Sequence, residues 1–192
     1  MLCCLFEKNK IKCDRYFPQK DPHSSTLTSE EYEITFLEEE EVAHQKTLKL
    51  RRLQLRNTQT NQTRLINHYQ LTDWPDGDTP TKKGKKTLNH LIDVFLHCLS
   101  EGSVPVVHCS AGVGRTGTFI ALCLIRLLVA NNHSISIFNE VRKLREQRWG
   151  MVHTLSQYEY LYYFAEKEID RLHNGIGSLS SASSEEFEEE SS

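Results

Sequence analysis

Residues 116–129 are apolar nearly all round, and this stretch constrains the chain more than any other. A helix without a polar face has to be enclosed, so other elements must pack on it from several sides. Just before it, residues 104–107 form a short apolar run with the pattern of a buried strand, and a glycine-rich loop joins the two. Strand, tight loop and buried helix therefore follow one another.

The rest of the chain supplies the enclosing elements. From Met1 to about Leu71 apolar positions alternate: Tyr32, Ile34 and Phe36, then Leu48 and Leu50, then Leu53 and Leu55, then Leu65, Asn67, Tyr69 and Leu71. This predicts antiparallel strands. After a turn over residues 75–80, Leu88, Leu91, Ile92, Phe95, Leu96 and Leu99 make one helical stripe that stops before Gly102. Two more amphipathic helices are expected at 136–145 and 156–172, the latter lining up Tyr158, Leu161, Ala165, Ile169 and Leu172. Strands segregated before helices predict an α+β fold, and no internal repeat is visible.

Composition narrows the function classes. With 192 residues, 38% apolar and 26% charged, the chain suits one soluble globular domain. No window approaches the eighteen or so apolar residues of a spanning helix, and the first six residues lack a secretory signal's basic start. No membrane span and a cytoplasmic location are expected. Cys3, Cys4, Cys13, Cys98, Cys109 and Cys123 show no C-x-x-C pair, so they read as thiols of a reducing compartment. The net charge of -3 includes five glutamates at 185, 186, 188, 189 and 190, in a serine-rich run without Lys or Arg. This places a folded domain at residues 1–174 and a disordered Ser/Glu-rich tail at 175–192. Without those glutamates 23 basic residues face 21 acidic ones, a balance that tolerates an anionic substrate but does not argue for nucleic acid.

The loop His108-Cys109-Ser110-Ala111-Gly112-Val113-Gly114-Arg115-Thr116-Gly117 carries the chemistry. Glycines let the amides of Ser110, Ala111, Gly112, Val113 and Gly114 turn inward, and the following helix adds its positive end, which makes an anion cradle. A thiol at such a helix start ionises easily, its pKa falling from about 8.5 into a range of roughly 3.5–7.5. Arg115 can fork two donors onto an oxyanion. Nucleophile, fork and amides together read as a phosphate-cleaving site. Gly112-x-Gly114-x-x-Gly117 also fits a dinucleotide fingerprint, but no acidic residue ends a second parallel strand some 20 residues on. A Walker loop would need Lys before Thr116. Zinc on His97, Cys98, His108 and Cys109 would need neighbouring residues, which point different ways, to converge.

This loop resembles the H-C-S-A-G-x-G-R-[ST]-G signature of the tyrosine-specific protein phosphatases, and the likeness extends over essentially residues 1–172. Trp74-Pro75-Asp76 is similar to that family's mobile W-P-D loop. Glu7-Lys8-Asn9-Lys10-Ile11-Lys12-Cys13-Asp14-Arg15-Tyr16-Phe17-Pro18 is similar to E-x-x-x-x-K-C-x-x-Y-W-P, and residues 147–158 resemble Q-R-x-x-M-V-Q-T-x-x-Q-Y. The resemblance implies a twisted mixed β-sheet flanked by helices, opening inside the family's domain without its N-terminal elements. It implies that Cys109 attacks phosphorus while the cradle and Arg115 bind the phosphoryl oxygens. Asp76 would protonate the leaving phenolate, Thr116 would assist the thiolate, and Glu7, Lys12, His108 and Trp74 would support them. Gln157 matches the family's glutamine, whereas His153 stands where the water-positioning glutamine is found, and Gly77-Asp78-Thr79-Pro80 replaces the commoner His-Gly-Val-Pro. Phosphotyrosine proteins are the implied partners, and no metal or cofactor is implied. An active phosphatase, a phosphotyrosine-trapping protein and a non-functional partial domain are the three readings.

Overall fold

The computed structural model describes residues 1–21, 23–42 and 47–186, with side chains to residue 174. Its elements are β1 (Phe6–Glu7), β2 (Lys10–Ile11), β3 (Thr26–Thr28), β4 (Tyr32–Glu41), β5 (Leu48–Asn57), β6 (Thr63–Leu71), α1 (Lys82–Ser100), α2 (Gly114–Ala130), α3 (Ile137–Gln147) and α4 (Leu155–Glu186). The chain has the expected α+β fold, with a twisted antiparallel sheet ordered β3-β4-β5-β6 and a separate β1-β2 hairpin.

The change of phase between Leu50 and Leu53 has a structural cause. Both belong to β5, and successive side chains of a strand point to opposite faces. Leu48 and Leu71 turn to the face covered by the helices, where they meet Leu88, Ile92, Phe119, Leu122, Ile125, Leu144 and Leu161 in the main core. Leu53 turns the other way, and the row Phe36–Leu53–Ile66 packs with Met1, Cys3 and Phe17 in a second core. Strands β5 and β6 thus each serve two cores, one from each half.

The enclosed helix is α2, which buries Phe119, Leu122 and Ile125 among the other three helices and the sheet. Its single charged residue after Arg115 is also buried. Arg126 binds both carboxylate oxygens of Glu168 on α4 at 2.8 and 3.0 Å and Asp93 of α1 at 2.6 Å, and also donates to Asn89. This clamp joins three helices and satisfies a guanidinium that would be costly to bury alone.

Three expectations change. Residues 104–107 form no strand: Val104 and Val106 are 90% and 85% exposed, and Pro105 has no N–H to give to a ladder. Among the described residues, the segment's link to the sheet is the bond from Leu2 N to His108 O at 2.8 Å. The sheet is accordingly antiparallel rather than mixed. Among the described residues, a parallel pattern is seen at Met1, which donates to Tyr69 O and accepts from Leu71 N on either side of one β6 residue. Finally, α4 runs past 172 to Glu186, and its buried face holds Tyr160, Leu161, Phe164 and Ala165 while Ile169 is 39% exposed. The tail expected at 175–192 lies outside the residues whose side chains are described, and 187–192 lie outside the described residues altogether.

Candidate active site

The site gathers at the N-terminal end of α2. The other three helices start with a side-chain cap: Thr81 accepts from Gly84 N at 3.0 Å, Ser136 from Asn139 N at 3.4 Å and Thr154 from Gln157 N at 3.3 Å. Helix α2 has Val113 at its N-cap and no side-chain cap bond. The amides of Ser110, Ala111, Val113 and Gly114 likewise give no hydrogen bond to any acceptor among the described residues. Unpaired amides at a helix start carry the positive end of its dipole. Gly112, at φ +70°, supplies the left-handed turn that lets the loop close. Arg148 braces that turn, its Nε donating to Gly112 O at 3.0 Å.

Cys109 is buried in this setting. Burial alone raises a thiol pKa, as at Cys3 and Cys123, both pushed up to about 12. At Cys109 burial also acts upward, but the hydroxyl and amide of Thr116, the amide of Gly112 and the charge of Arg115 together bring the thiol below its ordinary value. Thr116 Oγ1 has no other hydrogen-bond partner, so its proton is left for the sulfur. All six cysteines are free thiols.

Arg115 is buried, and three elements fix it. Its Nη1 donates to Glu7 Oε1 at 2.6 Å and to Trp74 O at 2.8 Å, while Nη2 donates to Asp76 Oδ1 at 3.2 Å. Glu7 is delivered by the β1-β2 hairpin, whose two-residue turn at Lys8 and Asn9 has φ of 47° and 59°, the sign pattern of a type I′ turn. The guanidinium Nε is buried without a partner. A buried donor left unmade at a charged group is uncommon, and an oxyanion is its natural acceptor.

Asp76 is exposed and ionised. The Lys12 ammonium bonds its Oδ2 at 2.5 Å and, with the nearby Arg115 charge, holds its carboxyl below the usual range against the opposing effect of burial. The turn carrying it is anchored by buried Trp74, whose indole N–H reaches Asp78 O at 2.8 Å. Gln157 approaches the same carbonyl at 3.5 Å, and its Oε1 accepts from His153 N at 3.1 Å and Thr154 N at 3.4 Å. Thr154 and Gln157 thereby form a capping box for α4. His153 is exposed, with its Cβ 3.6 Å from where a side chain on Gly114 would begin.

Cys109, Arg115, Glu7, Asp76, Lys12 and Trp74 are therefore joined in one region by direct bonds or through a shared partner, and Gln157 and His153 adjoin it through Asp78 and Gly114. One residue beside the site, His68, carried no local signal. Tyr16 OH bonds His108 Nε2 at 2.5 Å and His68 Nε2 at 2.9 Å, and burial pushes His68 down to about 3, so it is neutral. Among the described residues no group of three or more His, Cys, Asp or Glu side chains is placed to hold a metal.

Fold and loop together define the class, an α+β domain with a cysteine and a forked arginine around an open helix start. The chain belongs to the protein-tyrosine phosphatase family, whose sequence pattern matches residues 1–166. It is 35% identical over 156 residues to mouse tyrosine-protein phosphatase non-receptor type 13, covering 81% of this chain and 6% of that protein. To mouse receptor-type tyrosine-protein phosphatase alpha it is 36% identical over 171 residues, covering 88% and 20%. The catalytic domain of human protein tyrosine phosphatase non-receptor type 18 superposes with a TM-score of 0.74 at 27% identity, over 88% of this chain and 58% of that one. The chain thus spans under two thirds of the length of each.

Proposed function

We propose that this chain is a protein-tyrosine phosphatase that hydrolyses phosphotyrosine on proteins through a phosphocysteine intermediate. The observation that carries the reading is the pairing of the acidified Cys109 thiol with the unpartnered Nε of buried Arg115. In the first step the Cys109 thiolate attacks phosphorus, the phosphorus–oxygen bond to the phenol breaks, and Asp76 gives its proton to the leaving oxygen. The cradle amides and the Nε edge of Arg115 hold the three equatorial oxygens. In the second step water attacks the phosphocysteine, its proton passes to Asp76, and the sulfur–phosphorus electron pair returns to sulfur beside Thr116. The related type 18 phosphatase has been solved with HER2 phosphopeptides, which supports phosphotyrosine proteins as the partner class. Six free thiols support the cytoplasm as the compartment, and no described helix is long and apolar enough to cross a membrane. Rapid-quench kinetics with p-nitrophenyl phosphate test the reading: acid-stable phosphoenzyme followed by sustained turnover is expected, and absence of phosphoenzyme would reject it.

Asp76 can act as an acid only when protonated, and Lys12 and Arg115 keep it charged. An incoming phosphate dianion takes over the Arg115 edge and raises the Asp76 pKa. Lys12→Met removes the largest influence that lowers it, so the proton is kept to higher pH. The alkaline limb of the kcat/KM profile should therefore move upward in pH, and an unmoved limb would show that Lys12 does not control the acid.

His153 favours a second reading, a phosphotyrosine trap that forms the intermediate and releases it slowly. The imidazole and the glutamine amide it replaces differ in reach. His153→Gln should accelerate steady-state turnover several-fold while leaving phosphoenzyme formation within about twofold, a modest effect consistent with a hydrogen bond to one water. Equal turnover in the two proteins would make the histidine a neutral replacement.

A further inference from the structure

Among the described residues, Val152 is the buried β-branched residue with a left-handed backbone, at φ +59°. The other described non-glycine residues in that region are Lys8, Asn9, Asn61 and Asn132. Such a conformation is a genuine outlier for valine, and outliers of this kind persist only where their surroundings over-determine them. Here the surroundings are identifiable. Arg145, in the last turns of α3, donates from Nε to Met151 O and from Nη2 to Val152 O, both at 2.9 Å, so one guanidinium grips the carbonyls of the two peptide groups that flank the Val152 Cα. Val152 N donates to Val113 O at 3.2 Å, the same oxygen that accepts Gly117 N at 2.9 Å. Gly117 makes room for this seat, since a Cβ there would stand 2.5 Å from Val152 N and 3.1 Å from Met151 C.

The turn is thus wedged against the first turn of α2 and held from behind by Arg145, and the next residue is His153. Its backbone N–H is caught by Gln157 and its side chain starts beside Gly114 of the cradle. We infer that Arg145 is a positioning residue for hydrolysis of the phosphocysteine: by holding Val152 left-handed it fixes where His153 meets the attacking water. This rests on the phosphatase reading above. Formation of the intermediate uses Cys109, Arg115 and Asp76, none of which Arg145 touches, whereas its breakdown requires water to lie in line with the sulfur–phosphorus bond. The water oxygen bonds to phosphorus, its proton goes to Asp76, and sulfur leaves with the electron pair. Lysine at position 145 can reach one of the two carbonyls, and methionine neither.

Rapid-quench single turnovers with p-nitrophenyl phosphate read the two steps separately. Arg145→Met should form phosphoenzyme within about twofold of the unmodified chain but break it down about tenfold or more slowly, as expected when a reacting group is displaced by a fraction of an ångström. Arg145→Lys should recover part of the loss. Equal slowing of both steps, or no slowing of breakdown, overturns the inference. If circular dichroism shows Arg145→Met unfolded, Arg145→Lys decides on the same split. If the unmodified chain forms no phosphoenzyme, the phosphatase reading fails and this role fails with it. If phosphoenzyme forms and both variants hydrolyse it normally, only the role of Arg145 is lost.

Discussion

Replacing Cys109 by serine should abolish phosphoenzyme formation and lower turnover of an aryl phosphate by on the order of 10⁴-fold or more, as removal of a covalent nucleophile does. The physical reason lies in what acidifies the thiol. The Thr116 hydroxyl and amide, the Gly112 amide and the Arg115 charge bring Cys109 below its ordinary pKa, and no histidine or carboxylate among the described residues donates to or accepts from its sulfur. Of Cys109, His108 reaches only the carbonyl, through Nδ1 at 3.1 Å. Hydrogen bonds and one fixed charge suffice for a thiol, but an alcohol starts several orders of magnitude further from ionisation and has no general base here. Serine is smaller than cysteine by little, and Cys109 is a minor member of the core, so the fold should survive and thermal unfolding should show it. The cradle should survive too. Cys109→Ser is therefore expected to bind a phosphotyrosine peptide in calorimetry while making no phosphoenzyme. Residual phosphoenzyme in that variant would remove Cys109 from the nucleophile's place.

What the chain disclosed in advance divides by distance along the sequence. Cys109, Arg115 and Thr116 were legible because the loop and the helix start are contiguous, so spacing alone puts thiol, amides and guanidinium together. Asp76 and Glu7 needed the order of the motifs, since the bonds that bring them to Arg115 span 39 and 108 residues. Contacts and backbone conformations inside a motif left no mark of their own. Nothing around His68, Tyr16 and His108 announces that one phenol bridges two imidazoles, and nothing in Met151-Val152-His153 announces a left-handed valine, because β-branched residues are expected in extended backbone. The apolar run at 104–107 misled for a related reason. Valines raise strand propensity wherever they occur, but a strand exists only when a neighbour pairs with it, and Val104 and Val106 face solvent. Arg126 shows the converse, a charge on a helix otherwise apolar all round, tolerated because Asp93 and Glu168 arrive from elements 33 and 42 residues away.

The other large effect is expected at Arg115, where charge and shape can be separated. Arg115→Lys keeps the positive charge and should still lower kcat/KM by on the order of 10³-fold, the scale for losing fixed donors aimed at a developing oxyanion. The guanidinium has three commitments, Glu7 and Trp74 O on Nη1 and Asp76 on Nη2, and its buried Nε is left without a partner. A lysine ammonium is a single point that can satisfy Glu7 or approach a phosphoryl oxygen, and it has no fork with which to do both. Because the Arg115 side chain is fully buried and that of Glu7 only 15% exposed, removing the cation altogether is a different experiment. Arg115→Ala leaves the carboxylate without its partner, which at a buried pair costs about 3–5 kcal/mol, and the domain should unfold at markedly lower temperature. The two variants therefore separate stability from catalysis. Lysine should be near-native in melting and poor in turnover, with the loss appearing in both KM and kcat because the same edge holds substrate and transition state. A lysine variant within tenfold of the unmodified chain would mean that charge at this position suffices and that the forked geometry held by Glu7 and Trp74 has no catalytic consequence.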